Sequence, residues 1–258
     1  MFEALAIGAT GMQAQQLQVD TIANNLANVN TPGFKKSRVS FTELLAARGG
    51  PAGEGAPLGA PSAAGVGVAL ASTARLFEAG ELKKTDSPMD LAIQGDGFLE
   101  LALADGSRAY TRGGPLKVNA DGQLATASGV PLKPGIFIPE NAEGVQISPA
   151  GRVQVRLPGQ AMPVDAGQLE LVRFANPQAL LAQAGNLYRA TDASGEPTGG
   201  RPGSEGMGTV LQGHLEASNV RLVEEMVGLM MAQRAYEASV KVVQASDEML
   251  GLVNGLRR

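Results

Sequence analysis

His214 is the only histidine in the chain, and there is no cysteine. A single imidazole cannot supply the paired ligands of an H-E-x-x-H zinc motif. Without thiols there is no disulfide, no thiolate metal site and no cysteine nucleophile. His214 lies in Gln212-Gly213-His214-Leu215, between strand-like and helix-like sequence, where a structural role is expected. Asp86 and Asp90 are the carboxylate pair whose spacing could serve acid–base chemistry of the glycoside-hydrolase kind. The plainer expectation is that Asp86-Ser87-Pro88 starts a turn. No Gly-Lys dipeptide is present, so there is no Walker A loop. Gly95-Asp96-Gly97 runs into Phe98-Leu99-Glu100, which breaks the dinucleotide fingerprint, and there is no G-x-S-x-G elbow. No cofactor and no metal is expected. Met226, Met230 and Met231 could line an adaptable binding groove, but their helical spacing also suits ordinary packing.

The bulk properties narrow the class. The chain has 258 residues, of which 44% are hydrophobic, 18% charged and 4% aromatic, with 34 Gly and 15 Pro. That hydrophobic share supports a folded core, and the aromatic deficit makes it an aliphatic one. A net charge of −4 lacks the basic footprint of a nucleic-acid binder. No segment reaches the length of a membrane span, so membrane insertion is not expected. Glu3 stands where a secretory signal carries Lys or Arg, and the polar run Gln13–Gln18 interrupts any apolar region. A standard cleaved signal is therefore not expected.

The ends of the chain read as helices. Residues 3–29 contain no Pro, and Leu5, Met12, Val19 and Leu26 fall seven apart, with Ile22 and Val29 three beyond. Asn30-Thr31-Pro32-Gly33 ends this helix. Leu222, Leu229, Tyr236, Val243 and Leu250 repeat the spacing of seven. The flanking positions Ala232, Ser239 and Ser246 are small, so the seam admits a close neighbour helix. A second helix is predicted over 219–255, with Ser218 or Asn219 as N-cap and Glu224 and Glu225 favouring its N-terminal dipole.

The middle reads as β. Residues 98–103, 152–157 and 169–174 are strand-like. Regular turn signals stand at Ala104-Asp105-Gly106-Ser107, Ala120-Asp121-Gly122-Gln123 and Ser148-Pro149-Ala150-Gly151. These predict short antiparallel hairpins in a sandwich or small barrel. One short helix is expected among them, capped by Asn176, opened by Pro177 and closed by Gly185. In residues 46–65, sixteen of twenty are Ala, Gly or Pro, so the stretch cannot bury enough surface to fold alone. Residues 195–208 are a second Gly/Pro-rich loop.

Two amphipathic helices at opposite ends each carry a seam that cannot stay in water. The simplest solution is an α+β fold in which they pair as a coiled-coil-like module, with a mainly antiparallel β domain inserted between them. Val220, Val223, Val227, Met230 and Met231 lie off the main seam. More than one face therefore wants burial, which predicts self-association. The expected organisation is a helical module from 1–30 and 215–258, an extended connector over 31–70 and a β domain over 71–214. The assembly interface is assigned to Leu5, Met12, Val19, Ile22, Leu26, Leu222, Leu229, Tyr236, Val243 and Leu250.

Several runs carry a specific resemblance. They are Thr10-Gly11-Met12-Gln13-Ala14-Gln15-Gln16, Ile22–Lys35, Ser218-Asn219-Val220, Glu224-Glu225-Met226, Gln233-Arg234-Ala235-Tyr236-Glu237, Asp90–Phe98 and Tyr110-Thr111-Arg112. Together they resemble the bacterial flagellar rod and hook proteins along nearly the whole chain. Gln233–Glu237, Asn186-Leu187-Tyr188, the length and the 46–65 stretch look like the distal-rod members. Leu99 and Gly114-Pro115-Leu116 depart from the usual pattern at positions that bear on β packing. The resemblance implies a subunit of a periplasm-spanning rod, with the helices as an inner layer and the β domain as an outer one. It implies copies of itself, proximal-rod and hook-side axial proteins and the surrounding bushing rings as partners. Unfolded export through the flagellar type III apparatus is implied too, and a thiol-free chain cannot be trapped by oxidation in transit. Two other readings are a proximal-rod or hook-type subunit and a periplasmic β-sandwich hydrolase using Asp86, Asp90 or His214, which requires a pocket of converging acids.

Overall fold

A computed structural model describes residues 2–47, 63–160, 162–204 and 206–255. The chain has an α+β fold: a helix at each end, with a mainly antiparallel β region inserted between them. It divides into two compact units. One comprises residues 1–27, 37–74 and 221–258; the other comprises 28–36 and 75–220.

In the first unit, helix α1 (Phe2–Ala27) packs against helix α2 (Leu222–Gly255). The two run antiparallel. Gly8 lies against Val243, Gly11 against Ser239 and Gly228 against Ile22, and the Asn25 amide donates to Glu225 Oε2 at 3.1 Å. Strands β1 (Ser37–Ala47) and β2 (Ala63–Arg75) pair as a two-stranded ribbon. The ribbon is tied to α1 at two places. Asn25 donates to the Ser37 carbonyl and accepts from its N–H, while Thr10 Oγ1 accepts from the Val68 N–H. Gly67 is needed where the ribbon passes α1, since it has φ +141° and a Cβ there would lie 2.5 Å from Thr10 Oγ1. The Gly/Ala/Pro stretch 46–65 enters the ends of β1 and β2, and its residues 48–62 lie outside the described ones.

The second unit is built from short antiparallel strands. A central sheet runs Leu181–Gln183, Leu187–Arg189, Arg108–Thr111, Phe98–Ala102, Leu171–Arg173, Thr198–Gly200, with Leu132–Lys133 also pairing to Phe98–Ala102. A four-stranded sheet runs Thr209–Gln212, Asp90–Gln94, Gly113–Val118, Leu124–Thr126. Gly144–Ile147, Arg152–Arg156 and Val164–Gln168 form a third, and His214–Glu216 pairs with Leu82–Lys84. The expected turns close hairpins. Asp105 Oδ1 accepts from the Ser107 N–H, Asn119 Oδ1 from those of Asp121 and Gln123, and the Ser148 carbonyl from Gly151. The larger core is aliphatic, centred on Leu91, Ile93, Leu101, Leu124, Val153, Leu169 and Leu171. A second cluster departs from the aliphatic expectation. Phe77, Phe98, Tyr110, Phe174 and Tyr188 meet edge to face at 4.8–6.0 Å, which concentrates half of the chain's aromatic rings in one place.

Two local expectations are corrected. The helix opened by Pro177 is a single 3₁₀ turn, Pro177–Ala179; Leu180 is already extended, and Asn176 makes no side-chain cap bond. Leu181–Gln183 instead pairs with Leu187–Arg189, and Asn186, with φ +57°, helps to turn that hairpin. Pairing at this edge puts Tyr188 into the aromatic cluster, which one turn of helix could not do. Asn219 does not cap α2; its side chain accepts from the Lys36 N–H and donates to the Leu76 carbonyl. Ser218 Oγ accepts from the Val220 N–H, and the helix begins two residues beyond, at Leu222.

Leu101 is fully buried in the aliphatic core. Leu101→Ala is expected to lower the stability of the purified chain by about 2–5 kcal/mol, measured by urea denaturation.

Candidate functional site: a buried charge cluster and an exposed helix face

The second unit encloses three charged side chains. Lys35 is 0% exposed, Glu216 3% and Arg112 5%. Lys35 follows Thr31-Pro32-Gly33-Phe34, beyond the end of α1 at Ala27, and Gly33 turns the chain with φ +70°. Glu216 ends the strand that pairs with Leu82–Lys84, and Arg112 follows the strand Arg108–Thr111. Lys35 Nζ donates to Glu216 Oε1 and to the Glu78 carbonyl, both at 2.6 Å. The Gly80 N–H donates to the same Oε1 at 2.9 Å. Arg112 Nε reaches Glu216 Oε2 at 3.4 Å, while its Nη1 donates to the carbonyls of Gly95 and Gly97 at 2.9 and 2.7 Å. The guanidinium also lies over the Phe98 ring, 5.7 Å from its centroid.

Two cations face one carboxylate, and backbone carbonyls of Glu78, Gly95 and Gly97 accept their remaining hydrogen bonds. Burial holds the Lys35 ammonium below the ordinary lysine range, opposed by the attraction of Glu216. Segment 33–36 is further held by the Gly33 N–H on the Glu216 carbonyl, the Lys36 N–H on Asn219, and the Leu76 N–H on the Lys36 carbonyl.

In the first unit, small residues let the helices approach closely, Gly8 against Val243 and Gly228 against Ile22. Gly8, Ala232 and Ser246 are buried, and Gly11 and Ser239 half-buried. Many of the larger apolar residues of α2 are left outside: Val223, Met226, Val227, Met230 and Met231 are 40–73% exposed, and Val242, Met249 and Leu252 are exposed as well. A small-residue contact lets two backbones approach and leaves the bulky side chains facing outward. A methionine- and valine-rich face of this kind suits association with further helices.

The chain matches three family descriptions. These are "Flagella basal body rod protein" over residues 5–35, "Flagellar hook protein FlgE/F/G D1 domain" over 92–155, and "Flagellar basal body rod FlgEFG protein C-terminal" over 211–256. It is 46% identical to the flagellar basal-body rod protein FlgG of Borreliella burgdorferi over the whole of both chains. It is 44% identical to FlgG of Caulobacter vibrioides over 99% of each, and 35% identical to FlgG of Bacillus subtilis over the whole of both. This chain belongs to the flagellar basal-body rod protein family. The family is one of structural rod subunits.

Within this rod-family fold, the ten residues assigned from spacing fall in different environments. Ile22 is buried; Leu5, Met12, Val19, Leu26, Leu229 and Val243 are half-buried. Leu222 is 50% and Tyr236 41% exposed. The Leu250 side chain lies outside the described residues. The residues named for catalysis are engaged separately: Asp86 pairs with Lys84 at 2.9 Å, Asp90 accepts from Thr85 Oγ1 at 2.6 Å, and His214 Nδ1 lies 2.9 Å from the Gln212 carbonyl. Asp86 and His214 line an open groove of about 550 Å³ together with Lys84, Glu143 and Arg156, a mixture of both charge signs. Among the described residues no group of acidic and histidine side chains is arranged to hold a metal, and no helix is long and apolar enough to cross a membrane.

Sequence reasoning gave Lys35 and Arg112 no role beyond their place in family-like runs, gave Glu216 and Gly80 none, and offered Asn219 only as a helix cap. The available signal was weak, consisting of a lysine directly after Pro-Gly-Phe and a glutamate at the end of an apolar strand. Glu216→Ala strands Lys35 and Arg112 as buried cations and removes the acceptor of the Gly80 N–H. It is expected to cost about 3–5 kcal/mol in equilibrium denaturation of the full chain, whereas an exposed control, Glu237→Ala, should change stability by less than about 0.5 kcal/mol.

Proposed function

We propose that this rod-family protein is a distal-rod subunit that assembles with copies of itself into a helical tube and transmits torque from motor to hook. The observation that carries the reading is the exposed apolar face of α2, where Val223, Met226, Val227, Met230 and Met231 stand in water in the single chain. Burying such a face stabilises association by roughly 25 cal/mol per Å² of apolar surface removed from water. A closed tube covers it on every subunit. The full-length likeness to proteins named FlgG supports the distal-rod reading over the proximal-rod and hook-type alternatives.

In this proposal residues 1–30 and 215–258 form the inner layer of the tube, 31–70 the connector and 71–214 the outer layer. Leu222 and Tyr236 face neighbouring subunits. The half-buried seam residues Leu5, Met12, Val19, Leu26, Leu229 and Val243, with Ile22 and Leu250, are shared between the helix pair and its neighbours. Proximal-rod proteins adjoin one end of the tube, hook-side axial proteins the other, and bushing rings surround it. The chain reaches this periplasm-spanning position through the flagellar type III apparatus without a cleaved signal. It carries out no catalysis. Pro51, Pro57 and Pro61 favour an extended backbone in 46–65, which we assign to an ordered contact with the adjacent subunit.

Met230 is 51% exposed, so Met230→Glu should leave the chain folded while placing a carboxylate in the subunit contact. Cells carrying it are expected to lack hooks and to be non-motile, with the purified variant unfolding in urea as the parent does. Normal motility would remove this face from the assembly. Deletion of 46–65 is expected to leave rods assembled but more pliable, as measured from the curvature of isolated rods by electron microscopy. Unchanged straightness would reduce the segment to a linker.

A further inference from the structure

The residues that lead out of α1 and those that lead into α2 meet in the second unit, and their attachments are unequal. Segment 214–219 has supports of its own. His214–Glu216 pairs with Leu82–Lys84, the Ala217 N–H donates to the Glu81 carbonyl, and Asn219 donates to the Leu76 carbonyl. The Glu216 carboxylate has Gly80 and Arg112 as well as Lys35. Room for this strand end is built in, because a Cβ on Gly80 would collide with the Ala217 carbonyl oxygen.

Segment 33–36, by contrast, belongs to no strand and leans on 216–219. Its Gly33 N–H, Lys35 ammonium and Lys36 N–H all donate to Glu216 or Asn219. Its other attachments include the Lys35 ammonium on the Glu78 carbonyl, the Arg75 guanidinium on the Lys35 carbonyl, the Leu76 N–H on the Lys36 carbonyl, the Phe34 N–H on the Thr31 carbonyl and Arg75 over the Phe34 ring, and the preceding Pro32 carbonyl accepts from Asn186. Among the described residues Glu216 is the one carboxylate in ion-pair contact with Lys35, while Arg112 stands in the same cluster. Without Glu216 the Lys35 ammonium would enter a dry site beside a like charge. Without Lys35, Glu216 keeps a guanidinium and a backbone N–H.

We propose that the Lys35–Glu216–Arg112 cluster is an ordered latch: segment 214–219 completes the dock, and segment 33–36 closes onto it last and opens from it first. Segment 33–36 is thereby released while the β sheets stay folded. In a chain made from its N-terminus this puts closure under the control of a residue 181 positions downstream of Lys35. The joint cannot form on an incomplete chain.

Native-state hydrogen exchange of the full-length protein in sub-denaturing urea tests the order. The amides of Gly33, Lys36 and Leu76 should exchange through one shared opening at urea concentrations where Gly80 and Ala217 remain protected and the core amides of Leu124, Ile138 and Leu169 do not respond. Lys35→Met should accelerate the first group by about tenfold or more and leave Gly80 and Ala217 within about twofold of the parent. The latch is overturned if Ala217 and Gly80 open together with or before Gly33 and Lys36 in the unaltered chain. It is overturned equally if Lys35→Met loosens both segments alike, or if the core amides open with them. The measurement on the unaltered chain requires no variant to fold.

Discussion

A carboxylate removed from water must be matched by donors on every side, and Glu216 is such a group. Its two oxygens collect an ammonium, a guanidinium and a backbone N–H from residues 35, 112 and 80, while its own carbonyl accepts from Gly33. Much of the surrounding backbone follows from that requirement. Gly80 leaves room where a Cβ would meet the carbonyl of Ala217, the residue after Glu216. Gly95 and Gly97, in conformations with φ of +102° and +140°, aim two carbonyls at Arg112 and so offset the second cation. The cluster joins three stretches of chain that share no sheet ladder. A buried ion pair contributes little net stability over an apolar substitute, but a mismatched one is costly. Its physical effect is to penalise every arrangement in which residues 33–36 and 214–219 are not both in register.

The terminal helices follow the opposite logic, since they are held by small residues and the valuable apolar surface is kept on the outside. Gly8, Gly11, Ala232, Ser239 and Ser246 let the backbones come close, and Ser239 and Ser246 return their hydroxyls to the carbonyls of Ala235 and Val242. A pair packed through such residues leaves much of its apolar surface uncovered, and two isolated helices gain little from propensity alone. Under the proposed assembly, most of the stabilisation of these helices comes from neighbouring subunits. That separates folding of the single chain from completion of the rod. The ribbon of β1 and β2 adds a third element to this unit, and Asn25 connects it to both helices through Ser37 and Glu225.

The aromatic cluster is a quieter case of economy. With no Trp and only ten Phe and Tyr residues, the chain places five of them edge to face in one corner of the β unit and leaves the larger core to Leu, Ile and Val. The hairpin around Asn186 exists to deliver Tyr188 to that corner. Its side-chain amide also donates to the Pro32 carbonyl, so the same turn supports the exit from the Pro-Gly-Phe-Lys run.

The local and periodic features were legible in the sequence by itself. The spacing of seven and the lack of Pro set the terminal helices, and Asp-Gly and Pro-Ala-Gly signals set the hairpin turns. Long terminal motifs marked the family, because each depends on residues close together in the chain. Tertiary structure decided what neighbours in sequence cannot. A repeat of seven marks an apolar stripe but not which edge of it faces the partner helix. Close approach at Gly8 and Gly11 chose the small edge, leaving Leu222 and Tyr236 exposed. Pro177 read as a helix start, yet strand pairing and the burial of Tyr188 outweighed that local preference. Lys35, Arg112 and Glu216 look like solvated surface charges when read singly. Only the fold brings them together, because the pairing of an ion in a dry interior is a property of where the chain returns, across 181 residues between Lys35 and Glu216, and not of any segment along it.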